Sequence, residues 1–416
     1  MALNHLPHYD KTPYVAVPGQ TCLVGWPAIT ARLNPIPGVM AIECYPGVDE
    51  PAIIAALGRD RPILHTRDAM LPPAVIAQRV APFLGGDDPV FGYLTNLTLE
   101  QFFDPAKLAE LRRRVDDSTI VVGVGATLVV PQPATLVYAD LARWEAQQRF
   151  RRGQCGVLGG EEQSLTAAAQ YKRAFFVDWR VADRFKKPLL RRCDFVLDTN
   201  APARPKLASG DAVREGLRRA SRQPFRVVPF FDPAPWGGQW MKRVCRLDPT
   251  VPNYGWCFDC VPEENSLLLG LGDVTDFELP ALDLVFLHPR ELLGEAVHGR
   301  FGDEFPIRFD MLDTMDGGHL SLQVHPPTEY IQETFGMHYT QDESYYLLDA
   351  APDATVYLGV KTGIRPADML AALEAAQAGG PPFDDRRFVN RWPAKKHDHF
   401  LIPAGTVHCS GRNSLV

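Results

Sequence analysis

The sequence lacks the marks of exported, membrane-spanning and nucleic-acid-binding proteins. Its start, MALNHLPHYDKTPYVAV, has no basic segment followed by an apolar one, so we expect no export signal. No run approaches the roughly 18 apolar residues that a membrane-spanning helix needs. The net charge of −7 offers no general footprint for nucleic acid. We therefore expect a cytoplasmic protein whose partner is neither a membrane nor a nucleic acid.

Cysteines are too few and too scattered for a disulfide framework. The eight in 416 residues suit reduced thiols in a cytoplasm. One pair, Cys257 and Cys260 in CFDC, has the spacing of a metal knuckle. No second C-x-x-C exists to complete four ligands, which favours a chance spacing over a zinc or redox role.

The length of 416 residues predicts more than one domain. The first half alternates strands and helices, which predicts a parallel sheet with helices on both faces. Its clearest segments are a strand over 38–45, helices over 49–60 and 104–115, and a buried strand over 118–130.

From residue 226 onward the pattern changes to short strands separated by proline and glycine. That density of short strands predicts an antiparallel sandwich or barrel. Between the halves, TNAPARPKLASGD is a spacer rich in proline, alanine and glycine. We therefore predict a fold of the α/β plus mainly β class, with an α/β domain over 1–205, a linker over 206–225 and a β domain over 226–416.

The β half contains four side chains that are able to bind a metal. In LSLQVHP, Gln323 and His325 are two residues apart, so both point to the same face of a strand. Glu343 follows 18 residues after His325, and His408 follows 65 residues after Glu343, in a Pro-Ala-Gly-x-x-His turn. Two imidazoles, a carboxylate and an amide oxygen suit zinc, and less specifically iron, manganese or nickel.

Any one of these residues taken alone is more often structural than a metal ligand. The hypothesis depends on all four together, in this order, with the turn fixing the backbone just before His408. Other histidines lie near these segments, and we expect them at the surface or behind the ligands: His319, His338, His397 and His399.

The β half resembles the class I mannose-6-phosphate isomerases, zinc enzymes of the cupin (jelly-roll β-barrel) superfamily. The resemblance implies that Gln323, His325, Glu343 and His408 bind Zn²⁺. It also implies interconversion of D-mannose 6-phosphate and D-fructose 6-phosphate, and hence a sugar phosphate as the small-molecule partner. The similar stretches are PWGGQW (235–240), EENS (263–266), ELLG (291–294), FPIRFDMLDT (305–314), LSLQVHP (320–326), DESYYLLDA (342–350) and FLIPAGTVHCSG (400–411).

The chain departs from this family in two ways. Many relatives carry a lysine two residues before the glutamate, where this chain has Gln341, which cannot titrate. The base is therefore open among Lys361, His338 and Asp342. The chain also stops at GRNSLV, where the family continues with a further strand and a candidate catalytic arginine, so we expect a fragment of a longer protein in which metal binding survives better than turnover.

The N-terminal half resembles a uridine-kinase-like P-loop NTPase at MAIECYPGVDEPAIIAAL (40–57). The strand, glycine-containing turn and helix are in order, but Glu50 and Pro51 take the positions of the lysine and serine. Glutamate repels phosphate, and proline offers neither an N–H nor a magnesium ligand. We interpret the domain as kinase-like without ATP binding and assign it no nucleotide-binding residue; a divergent active kinase or an unrelated α/β domain are the alternatives.

Residues 171–200 interleave arginine and lysine with aromatic side chains. We interpret them as an amphipathic connector with solvated basic residues, with an anion-binding face as the alternative.

Three functions follow from these patterns. The leading hypothesis is a zinc-dependent sugar-phosphate isomerase with a catalytically silent α/β domain. A non-catalytic, metal-containing sugar-phosphate sensor and an iron-dependent cupin oxygenase are the alternatives. The sequence leaves the oligomeric state open.

Overall fold

A computed structural model describes residues 9–160 and 165–416. Its strands are β1 (Tyr14–Ala16), β2 (Cys22–Val24), β3 (Met40–Cys44), β4 (Ile63–His65), β5 (Ile120–Gly123), β6 (Thr135–Asp140), β7 (Phe195–Asp198), β8 (Lys206–Ser209), β9 (Phe230–Asp232), β10 (Trp256–Cys260), β11 (Ser266–Leu271), β12 (Val274–Pro280), β13 (Phe309–Leu312), β14 (Glu343–Tyr346), β15 (Asp349–Ala350), β16 (Thr355–Val360), β17 (Val389–Pro393), β18 (His399–Ile402), β19 (His408–Ser410) and β20 (Ser414–Leu415).

The α-helices are α1 (Trp26–Leu33), α2 (Glu50–Leu57), α3 (Pro73–Val80), α4 (Pro105–Arg114), α5 (Ala126–Val129), α6 (Arg143–Arg151), α7 (Ala167–Arg173), α8 (Trp179–Leu190), α9 (Gly210–Ala220), α10 (Trp240–Val244), α11 (Leu282–Leu287), α12 (Pro289–Phe301), α13 (Thr328–Phe335), α14 (Pro366–Gln377) and α15 (Asp385–Phe388). Short 3₁₀ helices cover Thr66–Ala69, Ala81–Phe83 and Leu99–Phe102, and a π-helix covers Ala174–Asp178. Among the described residues, no helix combines the length and the apolar character that crossing a membrane requires.

The chain divides into two compact units. The α/β unit comprises Lys11–Pro229 and Cys260–Arg308, and the β unit comprises Phe230–Asp259 and Phe309–Val416 together with residues 9–10. Each unit has buried apolar side chains of its own.

The α/β unit is built on a seven-stranded sheet with the order β2-β8-β7-β6-β3-β5-β4. Strands β4, β5, β3, β6 and β7 are parallel. At the other edge, β8 runs antiparallel to β7, and β2 pairs antiparallel with β8. β3, β5 and β6 are buried along their whole length, as expected of parallel strands covered on both faces. The predicted parallel sheet is confirmed. From β3 the chain moves to β4 at one edge, returns to β5, and then crosses to the other side of β3 to form β6 and β7.

The buried strand predicted over 118–130 is shorter than expected. β5 ends at Gly123, whose φ is +123°, and α5 begins just after Gly125, whose φ is +81°. These two positive φ angles, one on each side of Val124 and both tolerated by glycine, end the extended run and turn the chain into a helix.

The structure corrects the predicted linker over 206–225. This segment contains β8, which pairs with β2 and β7, and helix α9, which begins at a serine cap. Residues 260–308 also belong to the α/β unit, because the apolar strand β11 pairs in parallel with β1 and is buried along its whole length. The chain therefore enters the β unit, returns to the α/β unit and leaves it again.

The basic segment 171–200 is not a solvated connector throughout. It forms α7, the π-helix, α8 and β7, and the side chain of Lys186 is only 1% exposed. The Lys186 ammonium lies 2.7 Å from the Asp140 carboxylate and 2.5 Å from that of Asp283. A buried charge persists only when it is paired, so these contacts join α8 to β6 and α11.

The β unit consists of small antiparallel sheets, β13-β10-β9, β14-β18, β15-β20 and β17-β16-β19. The pairing of short antiparallel strands agrees with the sequence pattern. The jelly-roll barrel stays a prediction.

Candidate metal centre

Three segments of the β unit carry the four predicted ligands. Gln323 and His408 face each other across an antiparallel bridge, in which each backbone N–H donates to the other's carbonyl at 3.0 and 2.9 Å. Directly opposed residues of an antiparallel pair point to the same face, so both side chains share one side. Glu343 is the first residue of β14, and His325 follows Gln323 by two positions.

His325, Glu343 and His408 converge on one point. Glu343 Oε2 lies 2.8 Å from His325 Nε2 and 2.9 Å from His408 Nε2, and the candidate ligand atoms all lie within 4.8 Å of one another. A tetrahedral zinc ion with bonds near 2.1 Å separates its ligand atoms by roughly 3.4 Å. Outward shifts of a few tenths of an ångström would therefore admit an ion between these groups.

The fourth predicted ligand lies against the same group. The amide nitrogen of Gln323 lies 3.3 Å from His408 Nε2. The nitrogen and oxygen of an amide exchange places by a half-turn of the side-chain end, so the same position serves an oxygen ligand. The donor set of two imidazoles, a carboxylate and an amide oxygen fits a divalent transition metal.

His408 is held in the orientation that metal binding requires. Its side chain is fully buried, and Nδ1 donates to the Thr406 carbonyl at 2.7 Å, which leaves Nε2 facing His325 and Glu343. The turn before it depends on Gly405, whose φ is +83° and whose N–H donates to the His325 carbonyl at 2.6 Å. A backbone acceptor behind a ligating histidine fixes its tautomer and its ring orientation.

The electrostatics of the centre favour an ionised carboxylate. Burial by itself would raise the pKa of the Glu343 carboxyl, but hydrogen bonds from His325 and His408 outweigh it and lower that pKa to about 2. For His408, burial opposes the charged form, yet the hydrogen bonds to Glu343 and to the Thr406 carbonyl raise its pKa above the ordinary histidine value. A carboxylate that stays ionised is available to a cation across the neutral pH range.

Two of the three candidate bases make hydrogen bonds to backbone groups outside the His–Glu–His group, and the third is exposed. Lys361 is exposed, and its ammonium donates to the Arg386 carbonyl at 2.5 Å. Asp342 accepts a hydrogen bond from the Ala404 N–H at 2.9 Å. His338 is exposed at the surface.

Gln341 contacts the His–Glu–His group, although the sequence pattern indicated only that it replaces a lysine found in many mannose-6-phosphate isomerases. Its amide nitrogen lies 3.4 Å from His325 Nε2. The signal that could have found it is the spacing already used for Gln323 and His325, because Gln341 and Glu343 are also two residues apart.

The turn between β3 and α2 carries a carboxylate at the start of the helix. Glu50 begins α2, and its Oε1 accepts a hydrogen bond from the Val124 N–H at 3.1 Å. Its Oε2 lies 2.6 Å from His65 Nε2. A backbone donor at the carboxyl edge of the sheet is thus taken by an anion of the chain itself.

A second carboxylate, Glu43, occupies the start of α5. It is buried and accepts hydrogen bonds from the N–H groups of Gly125 and Thr127 at 2.5 and 2.8 Å, and from the Thr127 hydroxyl at 2.9 Å. Burial nevertheless outweighs these hydrogen bonds and raises the pKa of Glu43 to about 7.

Within residues 9–160 and 165–416, His325, Glu343 and His408 form the one group of three or more histidine, cysteine and acidic side chains close enough to share an ion. Cys257 is buried, and its sulfur lies 3.4 Å from the Tyr9 hydroxyl. Among the described residues, the CFDC pair belongs to no such group.

Comparisons with known proteins give two separate kinds of match. Residues 25–222 match the model of a family described as a domain of unknown function, DUF8485. This range lies inside the first segment of the α/β unit.

A separate similarity links the chain to isomerases. Over 196 residues, 46% of the chain and 56% of the relative, it is 26% identical to mannose-6-phosphate isomerase ManA of Bacillus subtilis. Over 183 residues, 44% of the chain and 52% of the relative, it is 29% identical to mannose-6-phosphate isomerase of Streptococcus mutans. A zinc-bound crystal structure of mannose 6-phosphate isomerase aligns with 46% of this chain and 66% of that chain, with a TM-score of 0.34 and 13% identity.

The chain thus spans about half the length of the curated relatives that it matches. Over about 46% of its length it is homologous to mannose-6-phosphate isomerases.

Proposed function

We propose that this protein is a zinc-dependent aldose–ketose isomerase that interconverts D-mannose 6-phosphate and D-fructose 6-phosphate. The observation that carries the proposal is the convergence of His325, Glu343 and His408 from three separate segments. Homology to mannose-6-phosphate isomerases supports the choice of reaction. Under this proposal the β unit is a cupin domain and the sugar phosphate is its small-molecule partner.

The residues of the centre suit the role of a Lewis-acid site. Gln323, His325, Glu343 and His408 would hold the zinc ion, which when bound polarises a carbonyl or hydroxyl oxygen of the sugar. Four protein ligands leave room for a substrate oxygen as a fifth. The buried His408, fixed by the Thr406 carbonyl, keeps the ligand geometry constant while the substrate exchanges.

Isomerisation also requires a base that moves a proton between C1 and C2. Lys361, His338 and Asp342 are the candidates. Replacing the true base should lower kcat by about 10²- to 10⁴-fold and leave the metal content unchanged. A variant series at these positions, with kcat and zinc content measured for each, assigns the role.

For the α/β unit we propose a kinase-like fold that does not bind ATP. The support is chemical: the Val124 N–H at the carboxyl edge of the sheet donates to Glu50, and the N–H groups of Gly125 and Thr127 donate to Glu43. These donors are not available to a phosphate, and the Glu50 carboxylate would repel one. Isothermal titration of the full chain with magnesium and ATP should give no binding signal.

The direct test of the isomerase is an activity assay of the full chain. Protein loaded with zinc is incubated with mannose 6-phosphate, and fructose 6-phosphate is measured through a coupled reaction. His325→Ala should remove both zinc and product formation, whereas His399→Ala, which changes an exposed histidine on β18, should retain both. No product from zinc-loaded protein would remove the enzyme proposal.

A second function, a non-catalytic sugar-phosphate sensor, is favoured by one observation. Gln341, a neutral amide, takes the position next to His325 where many relatives have a titratable lysine. Binding of mannose 6-phosphate to the zinc-loaded protein without turnover, measured by calorimetry, would select the sensor over the isomerase.

A further inference from the structure

Two amide side chains lie against the His–Glu–His group, each beside a different histidine. The Gln323 amide lies 3.3 Å from His408 Nε2, and the Gln341 amide lies 3.4 Å from His325 Nε2. Within the described residues, the Gln341 side chain makes one hydrogen bond, and its partner is His325. Both amides are therefore aimed at the atoms that would surround an ion.

The chemistry of an amide decides which of its atoms would face a cation. Each amide carries one oxygen that accepts and one NH₂ group that only donates, and the two exchange places by a half-turn. A divalent cation attracts the oxygen and repels the NH₂ group. An ion bound by His325 and Glu343 would therefore turn the Gln341 oxygen inward, where it occupies the position that the nitrogen takes beside His325.

From this geometry we propose that Gln341 is a fifth protein ligand of the metal centre. The ion is then held by two imidazole nitrogens, the Glu343 carboxylate and two amide oxygens, with one position open in a six-coordinate arrangement. This inference rests on the metal centre of the proposed function and adds a ligand that the four-residue set does not contain.

The fifth ligand changes which metals the centre prefers. Zinc is satisfied by four ligands and gains little from another donor, whereas Mn²⁺ and Co²⁺ readily take six and suit oxygen donors. Gln341 should therefore contribute more to the affinity for Co²⁺ and Mn²⁺ than to the affinity for Zn²⁺. The centre should also bind these six-coordinate ions more tightly than a site with four protein ligands does.

The test measures metal binding and does not depend on activity. The full chain is freed of metal with a chelator and titrated with Co²⁺ alone and with Zn²⁺ alone, in competition with a chromophoric chelator. Visible absorption of the Co²⁺ form reports the coordination number, because its d–d bands are weak in a six-coordinate field and intense in a tetrahedral one. We expect weak bands for the wild type.

Gln341→Ala should lower the Co²⁺ affinity by about 10- to 100-fold, lower the Zn²⁺ affinity less, and intensify the visible bands. Gln341→Glu keeps an oxygen donor at the same reach and should retain both the affinity and the weak bands. The matched control is Gln332→Ala, because Gln332 is an exposed residue of helix α13 whose amide donates to the backbone carbonyl of His338. This control should leave spectrum and affinity unchanged.

Identical spectra and affinities for the wild type and Gln341→Ala would overturn the assignment of Gln341. His408→Ala separates this failure from failure of the metal centre itself. If His408→Ala abolishes binding while Gln341→Ala does not alter it, the four-ligand centre stands and only the fifth ligand is removed. If neither variant changes binding, the metal centre and the inference are both wrong.

Discussion

Replacing His408 by alanine tests the metal centre most directly. His408 is fully buried, lies 2.9 Å from Glu343 Oε2 and is oriented by the Thr406 carbonyl. Its backbone also exchanges two hydrogen bonds with Gln323, so the protection of these amides reports on the centre. The substitution removes a ligand side chain and keeps the backbone groups whose exchange is measured.

The expected magnitude follows from linkage between binding and folding. A metal at a free concentration 100 times its Kd stabilises the native state by about 2.7 kcal/mol. This stabilisation slows the hydrogen exchange of these amides about 100-fold. Loss of a direct ligand should weaken binding by about 100-fold, the upper end of the range for residues that support ligands. At the same metal concentration, metal binding then stabilises the variant by only about 0.4 kcal/mol, which slows amide exchange about twofold.

Hydrogen exchange followed by mass spectrometry measures this difference on peptides that cover residues 320–325 and 406–412. Each protein is compared with and without zinc, so any loss of stability that the substitution causes by itself cancels. His399→Ala, which removes an exposed imidazole, should keep the full 100-fold effect. An equal zinc-dependent increase in the wild type and His408→Ala would refute the site.

Three further predictions concern the rest of the fold. The pKa of Glu43 is raised to about 7 from 4.5. Between these two pH values the native state binds a proton that the unfolded state has lost, so this group makes the free energy of unfolding fall as the pH rises from about 4.5 to 7. Glu43→Gln should remove up to about 3 kcal/mol of that decline, measured by urea unfolding at pH 5 and pH 8; an unchanged pH slope would contradict the raised pKa. Lys186→Ala leaves two buried aspartates without their cation and should lower the free energy of unfolding by about 3 to 5 kcal/mol in the same assay. A loss below about 1 kcal/mol would show that the buried pairing contributes little to stability. Gly238→Ala places a methyl group in steric overlap with the Asp313 carboxylate and should cost about 1 to 3 kcal/mol in free energy of unfolding. Gly363→Ala, with open space around it but a positive φ, reports the backbone cost alone.

The local patterns of the α/β unit predicted its sheet because parallel core strands are apolar runs of β-branched residues. The same patterns failed at residues 206–225, where proline, alanine and glycine suggested a linker. In the structure this segment supplies strand β8, which pairs antiparallel with both β2 and β7, and helix α9. Composition alone does not tell a spacer from a short strand that is paired on both sides.

The buried charges could not be predicted from the sequence pattern either. The segment 171–200 is rich in basic residues, and such a segment is usually solvated. Lys186 is buried because Asp140 and Asp283, which are 46 residues before and 97 residues after it, meet its ammonium group. Long-range pairing of this kind leaves no local periodicity to detect.

For the candidate centre, the sequence by itself determined which side chains share a face, because side chains alternate along a strand with a period of two. That rule related Gln323 to His325, and it relates Gln341 to Glu343 as well. Only the tertiary structure decided which faces meet. The strand pairing between Gln323 and His408, and the position of β14 beside them, bring two imidazoles, a carboxylate and two amides together across gaps of up to 85 residues.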